Sequence, residues 1–480
     1  MAPKIGIIGG GFSGTMTIAH LVKKMTSPCH IYIVSEKEDL NRGIAYNTYS
    51  KKHILNVITG KMSAFPDNPN HFLDWVIEKE EFKHIDKSII ANSFISRKLY
   101  GDYLVDIWHN VLLEAEQKQI QIVEINDTAI ALENDQRHVR LSFIQSNSIE
   151  VDYCVIASGN QIPKNPEIAN LEFYKSPLYF QNPWKSSSVD NVNLEEPILI
   201  VGNGLTMVDT IIGLLERNYK GEIYSISPNG FNILPHRHSG MSYTAHLHEI
   251  HEGMSLRDLF VVVHRHIKIV REFGVSAEPI IDALRPLSQK LWMSLSDVEK
   301  KKFMARLRHL FGVARHRIPL HIYDKLQKMR IDGRLHILSG KLLDMHEVND
   351  SVQVSYYDKK RHEPQQLSVS RVINCTGPET DFQKLENTFL SPCIRDGILC
   401  QDELKLGLNT NVETLCVKNK QGVEHSNLFT LGSNLKGELW ESTAVNELRQ
   451  QAVRLAENIV IKINNNLSDW STQNNVNEPS

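Results

Sequence analysis

An α/β fold with two Rossmann-like dinucleotide-binding domains and a helical insertion in the second follows from three observations on this 480-residue chain. A buried-type strand, a glycine-rich turn and a helix open the sequence. The same order recurs from Pro197. A basic, helical stretch then interrupts the second occurrence before further strands complete it.

The first occurrence is the more complete. Lys4-Ile-Gly-Ile-Ile8 is a short apolar run of the kind that a parallel sheet buries on both faces. Gly9-x-Gly11-x-x-Gly14 follows and opens a helix expected over Thr15–Lys24. In such a turn the glycines give a tight bend, close backbone approach to a pyrophosphate and close helix–strand packing. Free N–H groups and the positive helix end receive the pyrophosphate. A second strand, His30–Val34, ends at Ser35-Glu36, where a carboxylate can hydrogen-bond a ribose hydroxyl.

Composition removes several function classes. With 53 basic and 56 acidic residues the net charge is -3, so the chain lacks the electrostatic footprint of a nucleic-acid binder. Cys29, Cys154, Cys375, Cys393, Cys400 and Cys416 form no C-x-x-C pair. Scattered single cysteines predict buried thiols in a reducing compartment and argue against a disulfide reductase. No apolar run approaches the roughly 18 residues of a membrane span. Met1-Ala-Pro-Lys leads straight into the first strand, leaving no room for a signal peptide. A cytoplasmic protein with a small-molecule substrate, and neither membrane nor nucleic-acid partner, is the expectation.

Arg42-Gly-Ile-Ala-Tyr46, His53-Ile-Leu-Asn56 and Met62-Ser-Ala-Phe-Pro66 come next, and Gly43 and Ala45 are small enough for a planar ring to pass close to backbone. Helices are predicted over Phe72–Glu78 and Lys98–Glu116, the second with Leu99, Tyr103, Leu104, Ile107, Val111 and Leu112 on one stripe. Strands are expected at Ile120–Ile125, Ala129–Leu132, His138–Phe143 and Cys154–Ile156, and the proline-rich passage Pro163–Pro183 reads as a connection. Pro197-Ile-Leu-Ile-Val201 then precedes Gly202-Asn-Gly204-Leu-Thr-Met207, a helix to Glu216 and a strand over Glu222–Ile226. Met207 stands at the third glycine position, but the two glycines that admit a pyrophosphate are present, so a nicotinamide-nucleotide site is expected, with a helix–sheet unit that has lost its ligand as the alternative. Neither an acid nor an arginine follows Ser227, so NADH and NADPH are not distinguished; Arg237, between His236 and His238, can substitute.

Helices are expected at Leu256–Phe273, Ala277–Leu291, Val298–Phe311 and His321–Met329, a candidate lid or substrate wall whose charges fit a solvated face equally well. Strands at His336–Leu338, Val352–Tyr357 and Val372–Ile373, a helix over Thr443–Ile461 and a disordered polar tail from Asn464 complete the reading. His246-x-His248-x-x-His251 has metallohydrolase spacing, but Ile250 stands where the acid is needed, so no metal site is assigned.

Two strands close on glycine turns, Ala157-Ser-Gly159 and Cys375-Thr-Gly377. With Gly9–Gly14, Arg42–Tyr46, Leu55-Asn-Val57, Met62-Ser-Ala-Phe-Pro-Asp67, His71-Phe-Leu-Asp-Trp75, Arg97-Lys-Leu-Tyr-Gly101, Gly202–Asp209, Arg315-His-Arg317 and Gly437–Ala444, they carry a resemblance. The chain resembles the bacterial FAD/NAD(P)-binding oxidoreductases, distant relatives of flavin-containing, Baeyer–Villiger and lysine- or ornithine-type N-hydroxylating monooxygenases. The resemblance implies FAD on Gly9, Gly11, Ser13 and Gly14, with Glu36 and Lys37 at its adenosine. Gly43, Ile44, Ala45, Tyr46, Asn56, Met62 and Ser63 would approach the isoalloxazine, with Gly432 and Trp440 on its other side and Gly159 and Gly377 marking the chain crossings. NAD(P)H would sit on Gly202, Gly204, Leu205 and Thr206. Asn56 and Arg97 are the implied catalytic residues, Asn56 hydrogen-bonding a flavin adduct and Arg97 holding a phosphate or substrate carboxylate; a turn residue and a surface charge are the alternatives.

The implied domains are residues 1–190 (FAD, first part), 191–375 (NAD(P), with the insert at 255–328) and 376–463 (FAD, second part), followed by the tail 464–480. The implied activity is an NAD(P)H-dependent monooxygenase acting through C4a-peroxyflavin on a small molecule, with amine N-hydroxylation as the first choice. A flavin reductase or dehydrogenase with another acceptor, and a non-catalytic flavin- or nucleotide-sensing protein, are the alternatives.

Overall fold

In the computed structural model, residues 2–237, 241–386 and 388–475 are described. The chain divides into two compact units: Met1–Asn47 with Val57–Asn160 and Thr380–Ser480, and Thr48–Asn56 with Gln161–Glu379. The change of unit thus falls at Asn160/Gln161 rather than at the expected 190/191. The short piece Thr48–Asn56 belongs to the second unit, where Tyr49 and Ile54 pack on its core.

The first unit contains β1 (Lys4–Ile8), β2 (His30–Val34), β3 (Gln121–Ile125), β4 (Ala129–Asn134), β5 (Val139–Phe143), β6 (Ile149–Val151) and β7 (Tyr153–Ile156). Its main sheet has the order β17-β18-β7-β1-β2-β3, with β17 (Cys416–Lys418) and β18 (Glu424–Thr430) supplied by the end of the chain. All pairs are parallel except β17 with β18. Ile5, Ile7, Ile31 and Ile33 are almost fully buried, as strands covered on both faces require. The helix after β1 starts at Phe12, three residues earlier than expected, because Gly11 in extended conformation already serves as its N-cap. β4, β5 and β6 form a separate antiparallel sheet.

The second unit repeats the plan. β8 (Tyr179–Phe180), β9 (Ile198–Val201), β10 (Ile223–Ser227), β13 (Leu335–Val348), β14 (Ser351–Asp358), β15 (Glu363–Val369) and β16 (Arg371–Asn374) lie in the order β15-β14-β13-β10-β9-β16-β8. A small pair, β11 (Leu234–Pro235) and β12 (Arg317–Ile318), stands apart. β8 lies within the passage expected to be only a connection, and β15 was not foreseen. Its Glu-Pro-Gln-Gln-Leu-Ser-Val is an edge strand, exposed at alternate positions, and carries too little apolar signal.

Three further expectations are corrected. The helices at Ala277–Leu291 and Val298–Phe311 are each broken: Pro286 forces a 3-10 turn between Glu278–Leu284 and Ser288–Ser294, and Leu307 separates Asp297–Arg306 from Arg308–Arg315. The insert does not extend to 328, because Ile318, Ile322, Leu326 and Met329 are core residues of the nucleotide-type unit itself. The tail is not disordered from Asn464. A helix runs over Val445–Asn475, with Ile459 and Ile463 buried, Glu457 paired with Lys24 (2.7 Å) and Asn466 Nδ2 donating to Tyr153 Oη (2.7 Å). The expected disorder at 476–480 lies outside the described residues. Among the described residues no helix is long and apolar enough to cross a membrane.

Candidate functional site

Both units build their glycine turn in the same way. Each turn leaves the carboxyl end of a central strand whose neighbours lie on opposite sides: β2 and β7 flank β1, and β10 and β16 flank β9. That reversal of strand order is where open α/β sheets bind ligands. Gly9 has φ +111° and Gly202 has φ +112°, a region L side chains avoid. A Cβ on Gly9 would overlap the Ala157 carbonyl, and one on Gly202 the Cys375 carbonyl. The first glycine is therefore demanded by the fold, and the strands ending at Gly159 and Gly377 supply the crowding carbonyls. Gly159 and Gly377 themselves have φ +67° and +91° and nothing within 4 Å of a Cβ.

The other glycines divide. A Cβ on Gly14 would overlap the Gly9 carbonyl, so this residue lets helix and turn pack closely. Met207 takes its place in the second unit and is buried among Ile198, Ile200 and Ile211, with Ser225 Oγ at 3.1 Å from its sulfur. Its role is packing. Gly204, by contrast, has φ -87° and nothing within 4 Å of a Cβ, so no protein atom asks for glycine there. Space that only glycine leaves open, beside the first N–H groups of the helix Leu205–Glu216, suits a pyrophosphate. Within the same turn Asn203 Nδ2 is buried with no hydrogen-bond partner, while its Oδ1 accepts from Ser225 Oγ (2.6 Å). Leu205 leans on the core and Thr206 gives its carbonyl to Thr210 Oγ1 (2.9 Å).

In the first unit Gly11 faces Gly43, whose Cα lies 3.4 Å from a Cβ built on Gly11. Gly43 begins the one-turn helix Gly43–Tyr46 at φ +54°, with Ile44 half-buried and Ala45 exposed. Ser13 comes to the same place: its Oγ is 3.2 Å from a Cβ built on Gly432, which has φ +76° and donates its N–H to Gln451 Oε1 (2.8 Å). Glu36 and Lys37 stand exposed past the end of β2, Glu36 accepting from Thr128 Oγ1 (3.3 Å) and the Lys37 N–H donating to Asn126 Oδ1 (2.7 Å).

Above the turn lies an aromatic cluster. Tyr100 is fully buried, with ring centroids 4.6 Å from Tyr46, 6.4 Å from Phe12 and 4.8 Å from Phe72. Burial drives the Tyr100 phenol well above its ordinary pKa and pushes Tyr46 up to about 12, Arg97 pulling the latter back down. Arg97 starts the helix Arg97–Gln117, capped by Ser96 Oγ accepting from the Lys98 N–H (3.1 Å).

Tyr100 Oη, Ser433 Oγ, Ser442 Oγ and Gln451 Nε2 are among the buried polar atoms of this unit that have no hydrogen-bond partner. Orphaned buried groups are costly in a finished fold. Residues on Gly432 and its following segment, with Tyr100 beside Phe12 and Tyr46, fit a bound polar ring system that supplies the missing partners. Sequence reasoning missed Tyr100, Ser433 and Gln451. Tyr100 and Ser433 adjoin glycines already singled out, whereas Gln451 sits in an ordinary helical stretch.

Some expected site residues are otherwise engaged. Met62 and Ser63 are buried; Ser63 Oγ donates to the Asn68 carbonyl (2.6 Å) and accepts from the Phe65 N–H (3.1 Å), so its hydroxyl closes its own turn. The Ser63 carbonyl accepts from Arg449 Nη1 (3.0 Å). Trp440 is half-buried under the Lys436 ammonium, 5.7 Å from the ring centroid. Asn56 belongs to the second unit, not to that of Gly9 and Arg97, and its carbonyl is held by His236 Nε2 (2.9 Å). Arg237, proposed for a phosphate, faces Glu278 (3.6 Å), which Arg317 also holds (2.7 Å); His238 lies outside the described residues. In the histidine cluster His246 is buried against Tyr243 while His248 and His251 are exposed, and among the described residues no three ligating side chains converge on a metal position.

Residues 6–161 match the FAD-NAD(P)-binding family. No curated protein sequence matches the chain. Among solved structures, the fold is similar to the ornithine N-hydroxylase of Kutzneria sp. 744 (11% identity, 96% of this chain and 99% of that chain, TM-score 0.64). It is similar to L-lysine 6-monooxygenase from Pseudomonas syringae (14% identity, 96% and 100%, TM-score 0.60). It is also similar to the thioredoxin reductase of Lactococcus lactis (8% identity, 96% and 99%, TM-score 0.50).

Proposed function

We infer, from a chain whose residues 6–161 match the FAD-NAD(P)-binding family and whose second unit repeats the same turn, an NAD(P)H-dependent FAD oxidoreductase that activates oxygen toward a small amine. The observation that carries this reading is the duplicated construction of Gly9 against Ala157 and Gly202 against Cys375, with open space left at Gly204. Two nucleotide turns in two units give one dinucleotide the electrons and the other the task of passing them on. FAD supplies the hydride acceptance and the reaction with oxygen. The protein's part is to bind, align and shield: Gly11, Ser13, Gly14 and Gly43 at the pyrophosphate end, Tyr46, Tyr100 and Gly432 toward the ring, Gly204 to Thr206 at the nicotinamide nucleotide. Asn56 is assigned to hydrogen-bond the flavin side of the reaction and Arg97 to hold a substrate carboxylate.

The amine assignment is supported by the shared fold of ornithine- and lysine-acting monooxygenases. A reductase passing electrons to another acceptor is the second reading, supported by the likeness to a thioredoxin reductase. Against an internal disulfide acceptor, all six cysteines are free, five of them buried, and burial pushes the Cys375 thiol up to about 12. The test is direct: the purified protein should carry FAD near one per chain, and anaerobic NADH or NADPH should bleach its visible absorbance. A colourless protein that cannot be reconstituted with FAD, or a flavin that neither nucleotide reduces, refutes the reading.

A further inference from the structure

The two nucleotide turns differ at one corner that matters for the coenzyme. β2 is followed by Ser35-Glu36, but β10 ends at Ser227 and is followed by Pro228, whose side chain offers a ribose 2′-oxygen neither acceptor nor charge. A basic turn from elsewhere in the same unit occupies the corner. β13 runs parallel to β10 with Ser227 opposite Ser339, then continues beyond it and pairs antiparallel with β14, Gly340 opposite Asp358. That register carries the β14–β15 turn, Asp358-Lys359-Lys360-Arg361-His362, to the carboxyl end of β10. The Lys359 N–H donates to the Ser339 carbonyl (2.9 Å) and Lys359 Nζ to the Pro228 carbonyl (2.7 Å), which fixes the turn against the residue that follows β10.

Lys359, Lys360 and Arg361 are exposed and successive. The Asp358 carboxylate accepts the N–H groups of Lys360 (2.7 Å) and Arg361 (3.1 Å) on its Oδ1, which holds the turn in shape. Glu363 accepts from Gln365 Nε2 (2.9 Å), and Arg361 Nη1 reaches Gln365 Oε1 at only 3.4 Å. The cation suggested by sequence, Arg237, is matched by Glu278 and so is spent. Neighbouring strands lie about 4.8 Å apart, so an adenosine stretching sideways from the turn after β9 crosses the end of β10 and meets this corner.

We propose that Lys359, Lys360 and Arg361 form a clamp for the 2′-phosphate of the adenosine ribose and make the second unit selective for NADPH over NADH. The proposal rests on the reading of the second unit as the nicotinamide-nucleotide site. Lys359 would exchange the Pro228 carbonyl for a phosphate oxygen, and Arg361 can present two parallel donors to it.

Calorimetric titration of the full-length, FAD-loaded protein with 2′,5′-ADP and with 5′-AMP, at fixed low ionic strength, tests the clamp without turnover. Native protein should bind 2′,5′-ADP at least about tenfold more tightly than 5′-AMP, the worth of one charge-assisted hydrogen bond. Lys360→Glu/Arg361→Glu, two exposed turn positions, should erase that difference while thermal unfolding stays that of the native protein. Equal affinity for the two compounds in the native protein, or a preference that survives the double substitution, overturns the clamp while leaving the nucleotide site standing. If neither compound binds and neither NADH nor NADPH reduces the flavin, the clamp falls together with the site.

Discussion

Gly204→Val should give a folded, yellow protein that NAD(P)H scarcely reduces. The backbone at Gly204 is extended, at φ -87° and ψ -169°, which any residue adopts, and no protein atom lies within 4 Å of the added Cβ. Stability should fall by no more than about 1 kcal/mol, the ordinary cost of a poor N-cap residue. The branched side chain instead fills the approach to the N–H groups that open the helix Leu205–Glu216, where a pyrophosphate would sit. Anaerobic reduction of the flavin, followed at several NAD(P)H concentrations, should lose at least about 100-fold in second-order rate constant, roughly 2.7 kcal/mol. Retained reduction would place the nucleotide elsewhere, and loss of FAD along with reduction would make the second turn a purely structural element.

Gly9→Ala should act in the opposite way and strike the fold. Gly9 combines φ +111° with a Cβ direction blocked by the Ala157 carbonyl, backbone that cannot rotate aside. Left-handed strain and a backbone overlap just past the carboxyl ends of β1 and β7 together should cost about 4 kcal/mol or more, enough to deplete folded protein at ordinary temperatures. Chemical denaturation and flavin content, measured side by side, should both collapse. A stable but colourless product would mean that Gly9 serves the ligand rather than the turn. The same contrast within the second turn, where Gly202 faces the Cys375 carbonyl and Gly204 faces open space, separates fold-demanded from ligand-demanded glycines a residue apart.

Sequence spacing revealed both turns because a glycine leaves its mark wherever a side chain would collide. It did not separate the two kinds of glycine, since that depends on which carbonyl lies opposite. The buried strands around Ile5, Ile31 and Ile198 were legible from unbroken apolar runs. β15 was not, because alternate residues face solvent and Gln365 and Gln366 carry no apolar period. The helical end beyond Asn464 was hidden for a related reason. Its polar Asn run has no local signal for helix, and the anchor that orders it, Tyr153 Oη, lies 313 residues away. Tyr100 and Gln451 were invisible as site residues because their distinguishing feature, a buried polar atom without a partner, exists only in three dimensions. Likewise Thr48–Asn56 was assigned with its chain neighbours, whereas Tyr49 is packed beside Gly213 with Arg217 over its ring (5.1 Å).

The central claim is that reduced flavin in this protein delivers its electrons to oxygen and an amine rather than to a thiol or a protein acceptor. Rapid mixing of the NAD(P)H-reduced holoprotein with oxygen-saturated buffer, with ornithine, lysine and a simple diamine in separate runs, measures this. The account predicts a transient spectrum distinct from both reduced and oxidised flavin, prolonged by bound nicotinamide nucleotide, and N-hydroxylated product with at least one amine. A single-step return to oxidised flavin with hydrogen peroxide as the sole product, under every one of these conditions, would contradict it.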